Sequence, residues 1–187
     1  NAVTKQGTNR FTGSLFAYEK DASLTAKNYF VKKNNLTKPD TQEQQFGGTI
    51  GGPIVQNKAH FFASLERVRI DAGNTINLTQ RPELNTTAAT ETRVWNTVIR
   101  LDNQISANNT WGVRWLREAS PQFNQLIGSV SLGAAREEAD VDQTVVATLT
   151  SVLGNSRVNS LRGGWTQEDV AFANPCYNTN GRNQAAC

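Results

Sequence analysis

The chain has 187 residues, 37% of them hydrophobic, and a formal net charge of +3. That length suits one good-sized domain, the apolar content is low for a large closed core, and the charge is too small to argue for nucleic acid or an anionic membrane surface as partner. No stretch approaches the ~20 apolar residues of a membrane helix, which excludes a helical membrane protein but leaves open a membrane β-barrel, whose alternating strands are polar on average.

Asn and Thr each occur 20 times and Gln 12 times, so the chain is polar without being highly charged. It contains no Met and opens at "NAVTKQGTN". The expectation is a piece of a longer protein, and the missing targeting segment then says nothing about location.

In chain order, the first problem is Gln44–Arg69, "QQFGGTIGGPIVQNKAHFFASLERVR". Its second half alternates like a strand. Its first half carries Gly47, Gly48, Gly51, Gly52 and Pro53, residues that weaken a strand or remove a ladder donor. A phosphate loop is rejected, because no Lys-Ser/Thr follows Gly52 and no helix opens there. Phe46, Thr49, Ile50, Ile54 and Val55 still make a passable strand over Gln45–Gln56. The glycines would permit close backbone approach and local bending, with Pro53 at a rim or bulge.

Four further runs alternate with period 2. In Arg93–Asn103, Trp95, Thr97, Ile99 and Leu101 oppose Asn96, Val98, Arg100 and Asp102. In Thr110–Glu118, Trp111, Val113 and Trp115 oppose Gly112, Arg114, Leu116 and Glu118. In Gln143–Leu153, Val145, Ala147, Leu149 and Leu153 oppose Thr144, Thr148 and Thr150. In Arg157–Glu168, Leu161, Gly163 and Trp165 oppose Ser160, Arg162 and Thr166. Each run has about the ~9–11 residues a tilted strand needs to cross a bilayer.

Short turns are expected at Asn57-Lys58, around Asn108-Asn109 and at Gly154-Asn155, residues that tolerate positive φ. Longer polar connections are expected at Ile70–Thr90, Ala119–Asp142 and from Asp169 onward. Short turns at one end and long loops at the other describe an all-β, antiparallel up-and-down meander, part of a large transmembrane β-barrel. All four tryptophans fall on apolar faces, as at a bilayer interface. A soluble β-sandwich places Trp on an inward face equally well, so pattern alone leaves a secreted adhesion or glycan-binding sandwich as the alternative.

Candidate functional residues are few. His60 is the only histidine, and no catalytic set can be assembled around it, so no enzyme, cofactor or metal site is expected. The acidic run Glu137, Glu138, Asp140 and Asp142 could bind calcium in a loop, but it does not match the EF-hand spacing and reads as a solvated loop. Cys176 and Cys187 bracket a polar loop and could form a disulfide in an oxidising compartment or be two unrelated thiols. The most interesting polar set is Arg100, Asp102, Arg114 and Glu118. These lie opposite the tryptophans on two adjacent strands, facing the lumen if the sheet is a barrel, where opposite charges could pair across strands.

Three phrases in order carry a family resemblance: "VTKQGTNRFTGSLFAYEKD" (Val3–Asp21), "LTAKNYF" (Leu24–Phe30) and the Gln44–Arg69 stretch. With "IRLDNQISANNTWGVRW" (Ile99–Trp115), they resemble the Oar-like group of TonB-dependent outer-membrane receptors, over Ala2 to about Trp115. Thr12 stands where many members have His. The resemblance implies the end of a plug domain at residues 1–10. It implies the first part of a barrel over 11–187, roughly seven of about 22 strands. It implies a bacterial outer-membrane location and energy-coupled uptake of a bulky ligand, such as a siderophore, oligosaccharide or peptide. The implied partners are outer-membrane lipid, an unidentified ligand and a TonB-type energy-coupling protein reached through the plug. Selectivity would lie in the long outer loops.

Overall fold

The computed structural model describes residues 5–27, 40–76, 78–84, 86–125 and 131–174, together with residues 29, 32 and 38. Eight strands form one antiparallel sheet: β1 (Thr12–Asp21), β2 (Gln42–Val55), β3 (Ala59–Ile76), β4 (Thr86–Ser106), β5 (Asn109–Ala119), β6 (Gln122–Gln125), β7 (Arg136–Leu153) and β8 (Arg157–Ala173). Each long strand pairs with its predecessor, so the sheet is the expected meander.

The short strand β6 continues β5. Trp95 pairs with Ala119, and Thr92 pairs with Gln122 in the same register. Pro121 breaks the ladder between them because it has no N–H to donate. Its carbonyl still accepts from Arg93 N at 3.0 Å. Asn124 follows with φ of 56° and donates through Nδ2 to the Ala89 carbonyl at 2.7 Å, at a register shift against β7.

Register sorts the side chains onto two faces. One cross-strand row reads Gly13, Ile50, Ala63, Ile99, Trp115, Val145 and Trp165. The neighbouring row, on the other face, reads Thr12, Gly51, Phe62, Arg100, Arg114, Val146 and Gly164. The first face is apolar and uncovered: Leu15 is 92% exposed, Leu161 65% and Trp165 52%. All eight strands belong to one sheet, with no second layer among the described residues. A β-sandwich requires a second sheet over this face, so the architecture departs from the sandwich alternative.

The strands outrun their expected lengths. β3, β4, β7 and β8 hold 18, 21, 18 and 17 residues. Much of Ile70–Thr90 and Ala119–Asp142, expected as loop, is therefore strand. The physical reason is that alternation marks a strand only where its two faces meet different media. At the loop-side ends both faces are wet, while backbone pairing continues. The acidic run Glu137–Asp142 lies on β7 rather than in a loop.

The glycine-rich half of Gln44–Arg69 is strand β2, and its missing side chains make seats for neighbours. A Cβ at Gly52 would fall 2.5 Å from the Phe11 ring, and one at Gly51 would lie 3.5 Å from the Gly7 Cα on the opposite face. The chain thus passes from one face of β2 to the other between Gly7 and Phe11. Pro53 stands at a bulge between Pro53 and Val55, where the ladder is already irregular. The turn that follows has Asn57 at φ of 58°, and Gly154 takes φ of 64° in the β7–β8 turn.

Candidate functional site

The polar face carries a cavity of about 580 Å3 toward its tight-turn end. Arg100 on β4 is its best-held charge. Its Nε donates to Asp102 Oδ2 at 2.8 Å and its Nη2 to Asp102 Oδ1 at 2.9 Å. This pairing runs along one strand, two residues apart, since both side chains point to the same face. Asp102 has room because it lies opposite Gly112, where a Cβ would come within 2.8 Å of Asp102 Oδ1.

Among the described residues, the ion pair seen within this set runs along one strand, Arg100 to Asp102. Arg100 stands directly opposite Arg114, like charge against like. Lys58 and Arg162 line the same cavity, so four cations surround the one carboxylate of Asp102. Such a surface favours anionic groups. Glu118 lies away from it, in a row with Asn96, Asp142 and Glu168. Carboxylate oxygens of Asp140, Asp142 and Glu168 lie within 4.8 Å of one another. The charges of this face are therefore unevenly spread: cations predominate near the tight turns, and carboxylates outnumber Lys20 and Arg136 near the long connections.

Residues 5–10 are bound to the basic end. Gln6 Oε1 accepts from Arg100 Nη2 at 3.1 Å. Gly7 is buried so closely that a Cβ there would meet the Phe61 carbonyl oxygen at 2.1 Å. Asn9 Oδ1 accepts from the Asn57 backbone N–H at 2.7 Å and lies 2.9 Å from His60 Nε2. Gln56 Nε2 reaches the Asn9 carbonyl at 3.4 Å. His60 thus helps seat this segment. At Phe11 the chain leaves the polar face, and the Phe11 ring packs 6.3 Å from Phe61 on the apolar side.

Residues 3–90 match the family model described as an outer membrane beta barrel domain. Among curated proteins, the TonB-dependent transporter Oar of Myxococcus xanthus is 33% identical over 94 residues, a match that takes in 41% of this chain and 9% of that protein. No solved structure matches the chain. With the uncovered apolar face and the antiparallel meander, these findings fix the coarse identity. The chain is an outer-membrane β-barrel protein.

It belongs in the bacterial outer membrane, with lipid against its apolar face. Barrels of this class turn their polar face inward. Trp115 and Trp165 share a row just below Arg117, Gln143 and Gln167, where the apolar band gives way to polar side chains. Trp111 lies on the same face two residues from the start of β5. Such placement at both margins is an aromatic girdle. The match takes in less than a tenth of that transporter's length.

Gln6, Gly7, Asn9, Lys58 and Arg162 enter the site without having been singled out from the sequence. Arg162 could have been found by carrying the period-2 face assignment one strand further. Gln6 and Asn9 lie in no periodic element, so their position had no local signal. Cys176 and Cys187 lie outside the described residues.

Proposed function

We propose that the chain is the plug-to-barrel junction and first wall of a TonB-dependent transporter that takes up a bulky ligand by energy-coupled transport. The observation that carries this reading is the seating of residues 5–10 on the lumenal face. A chain that approaches from inside the barrel, is pinned through Gln6, Gly7 and Asn9, and then becomes the first wall strand is what a plugged barrel requires. Residues 1–10 are then the end of the plug. The excess of cations beside them suits carboxylates of a docked plug or ligand. The named relative is a TonB-dependent transporter, which supports energy coupling through a TonB-type partner.

On this reading the protein is not an enzyme. Both sheet edges, β1 and β8, need further strands, because an open edge in lipid leaves backbone polar groups unsatisfied. Selectivity resides in the loop-side connections with the plug's outer face, and the ligand class is a siderophore, oligosaccharide or peptide.

The test is conductance of the intact protein in planar lipid bilayers, followed by uptake in its source cells. A plugged transporter gives a closed barrel, and uptake of its ligand stops when the proton gradient is collapsed. A steady open pore, or uptake indifferent to the gradient, would overturn the proposal.

A further inference from the structure

Arg67 differs from its neighbours in how its charge is met. It projects to the lipid face in the row Phe46, Arg67, Trp95, at the loop-side margin of the apolar band. Its guanidinium carbon lies 5.9 Å from the Phe46 ring centroid and 5.1 Å from that of Trp95, a cation held between two rings. In the next rows outward, Arg69 pairs with Asp71 at 2.9 Å, and Arg93 pairs with Glu91 at 2.5 Å. Arg67 has no carboxylate within 4.0 Å among the described residues, and its buried Nε has no hydrogen-bond partner there.

Beside Arg67 is a hollow of about 430 Å3, lined by Leu15, Phe46, Gly48, Leu65 and Trp95 among others. It exists because Gly48 has no side chain; a Cβ there would come within 2.6 Å of Leu15 Cδ2. The hollow has aliphatic and aromatic walls, with Arg67 as its one cation.

We infer that this hollow holds one acyl chain of a membrane lipid whose phosphate pairs with Arg67. The occupant follows from charge and medium. The cation lacks an anion within the described protein, the walls offer no other polar partner, and the face looks into lipid. A charge-assisted bond to phosphate supplies the missing acceptor, and the stacked rings hold the guanidinium in place to receive it. The site is independent of the transport proposal.

The test uses the intact protein, extracted from outer membranes and delipidated in neutral detergent. Native mass spectrometry follows binding of phosphatidic acid, of diacylglycerol with the same chains, and of inorganic phosphate. The expected result is one tightly held phosphatidic acid per chain, with diacylglycerol and inorganic phosphate each bound at least about tenfold more weakly, the scale of one hydrogen bond to a charged group. Arg67→Gln should remove that preference, and Gly48→Leu should weaken phosphatidic acid by filling the hollow. Heat-modifiable gel mobility reports whether each variant folds; Arg67→Lys, which keeps the charge, is the substitute if Arg67→Gln does not, and should retain a reduced preference. Equal binding of diacylglycerol, unchanged binding by Arg67→Gln, or an altered oligomeric state in place of altered lipid occupancy would overturn the inference. The last outcome would assign the hollow to a second copy of the chain.

Discussion

Gly7 is the residue on which the seating of the N-terminal segment turns. A methyl group there would sit 2.1 Å from a backbone carbonyl that is itself part of β3 and cannot yield. Gly7→Ala should therefore lift residues 5–10 and break the contacts of Gln6 and Asn9, while the barrel wall stays intact. Cysteine labelling at position 6 should become markedly faster, and unchanged labelling would show that the segment is held by something else. Asn57 is the second test at this scale. Its φ of 58° suits Asn or Gly, and its backbone N–H donates to Asn9. Asn57→Ala should cost about 1–2 kcal/mol through backbone strain, and Asn57→Gly clearly less, as read from urea unfolding of the intact barrel. At the loop-side end of β1, Asp21 accepts from the Ser23 hydroxyl and backbone N–H, which hold its carboxyl below the usual carboxylate range. A carboxyl depressed in the fold stabilises it above its unfolded pKa, and that contribution is lost as pH falls through the folded value. The protection of the Ser23 amide, relative to its intrinsic exchange rate, should fall on acidification into that range, and Asp21→Asn should abolish this pH dependence.

At the scale of the element, the two faces of β4 should answer differently to charge. Ile99 points to lipid and Val98 to the interior, one residue apart in a continuous strand. Arg on the lipid face of a barrel costs up to about 2–4 kcal/mol, depending on depth. Ile99→Arg should lower barrel stability by that order, and Val98→Arg by much less. Equal costs would mean that both faces are in the same medium. The strands were readable from sequence where this contrast operates: Trp95 to Leu101, Trp111 to Trp115 and Leu161 to Trp165 alternate cleanly. They were less readable beyond the band, where only Ala139 and Val141 are apolar in Arg136–Asp142, yet Glu137–Asp142 is paired throughout with β8. Pro121 also hid the continuation of β5 into β6. Of the candidate site, Arg100, Asp102 and Arg114 came together on the expected face. Arg100 pairs with Asp102 along its own strand, a partner not legible in advance because a side-chain period fixes the face but not the register between strands. Glu118 shares the face and lies four residues further along the strand, beside Asp142.

For the whole molecule, the contrast that matters is between the two surfaces of one sheet. A soluble protein does not leave a band from Leu15 through Ile99 to Trp165 uncovered, whereas a barrel wall must. The excess of cations near the tight turns and of carboxylates near the long connections gives the polar face a polarity along its length. The most direct measurement is spin-label accessibility along β4 of the intact protein in lipid, one site at a time from 95 to 101, with Cys176 and Cys187 replaced by Ser. The expected result is a period of two, with oxygen access highest at 97, 99 and 101 and access to a water-soluble nickel reagent highest at 96, 98 and 100. Loss of that alternation, or odd-numbered positions shielded from both reagents, would contradict a lipid-facing barrel wall.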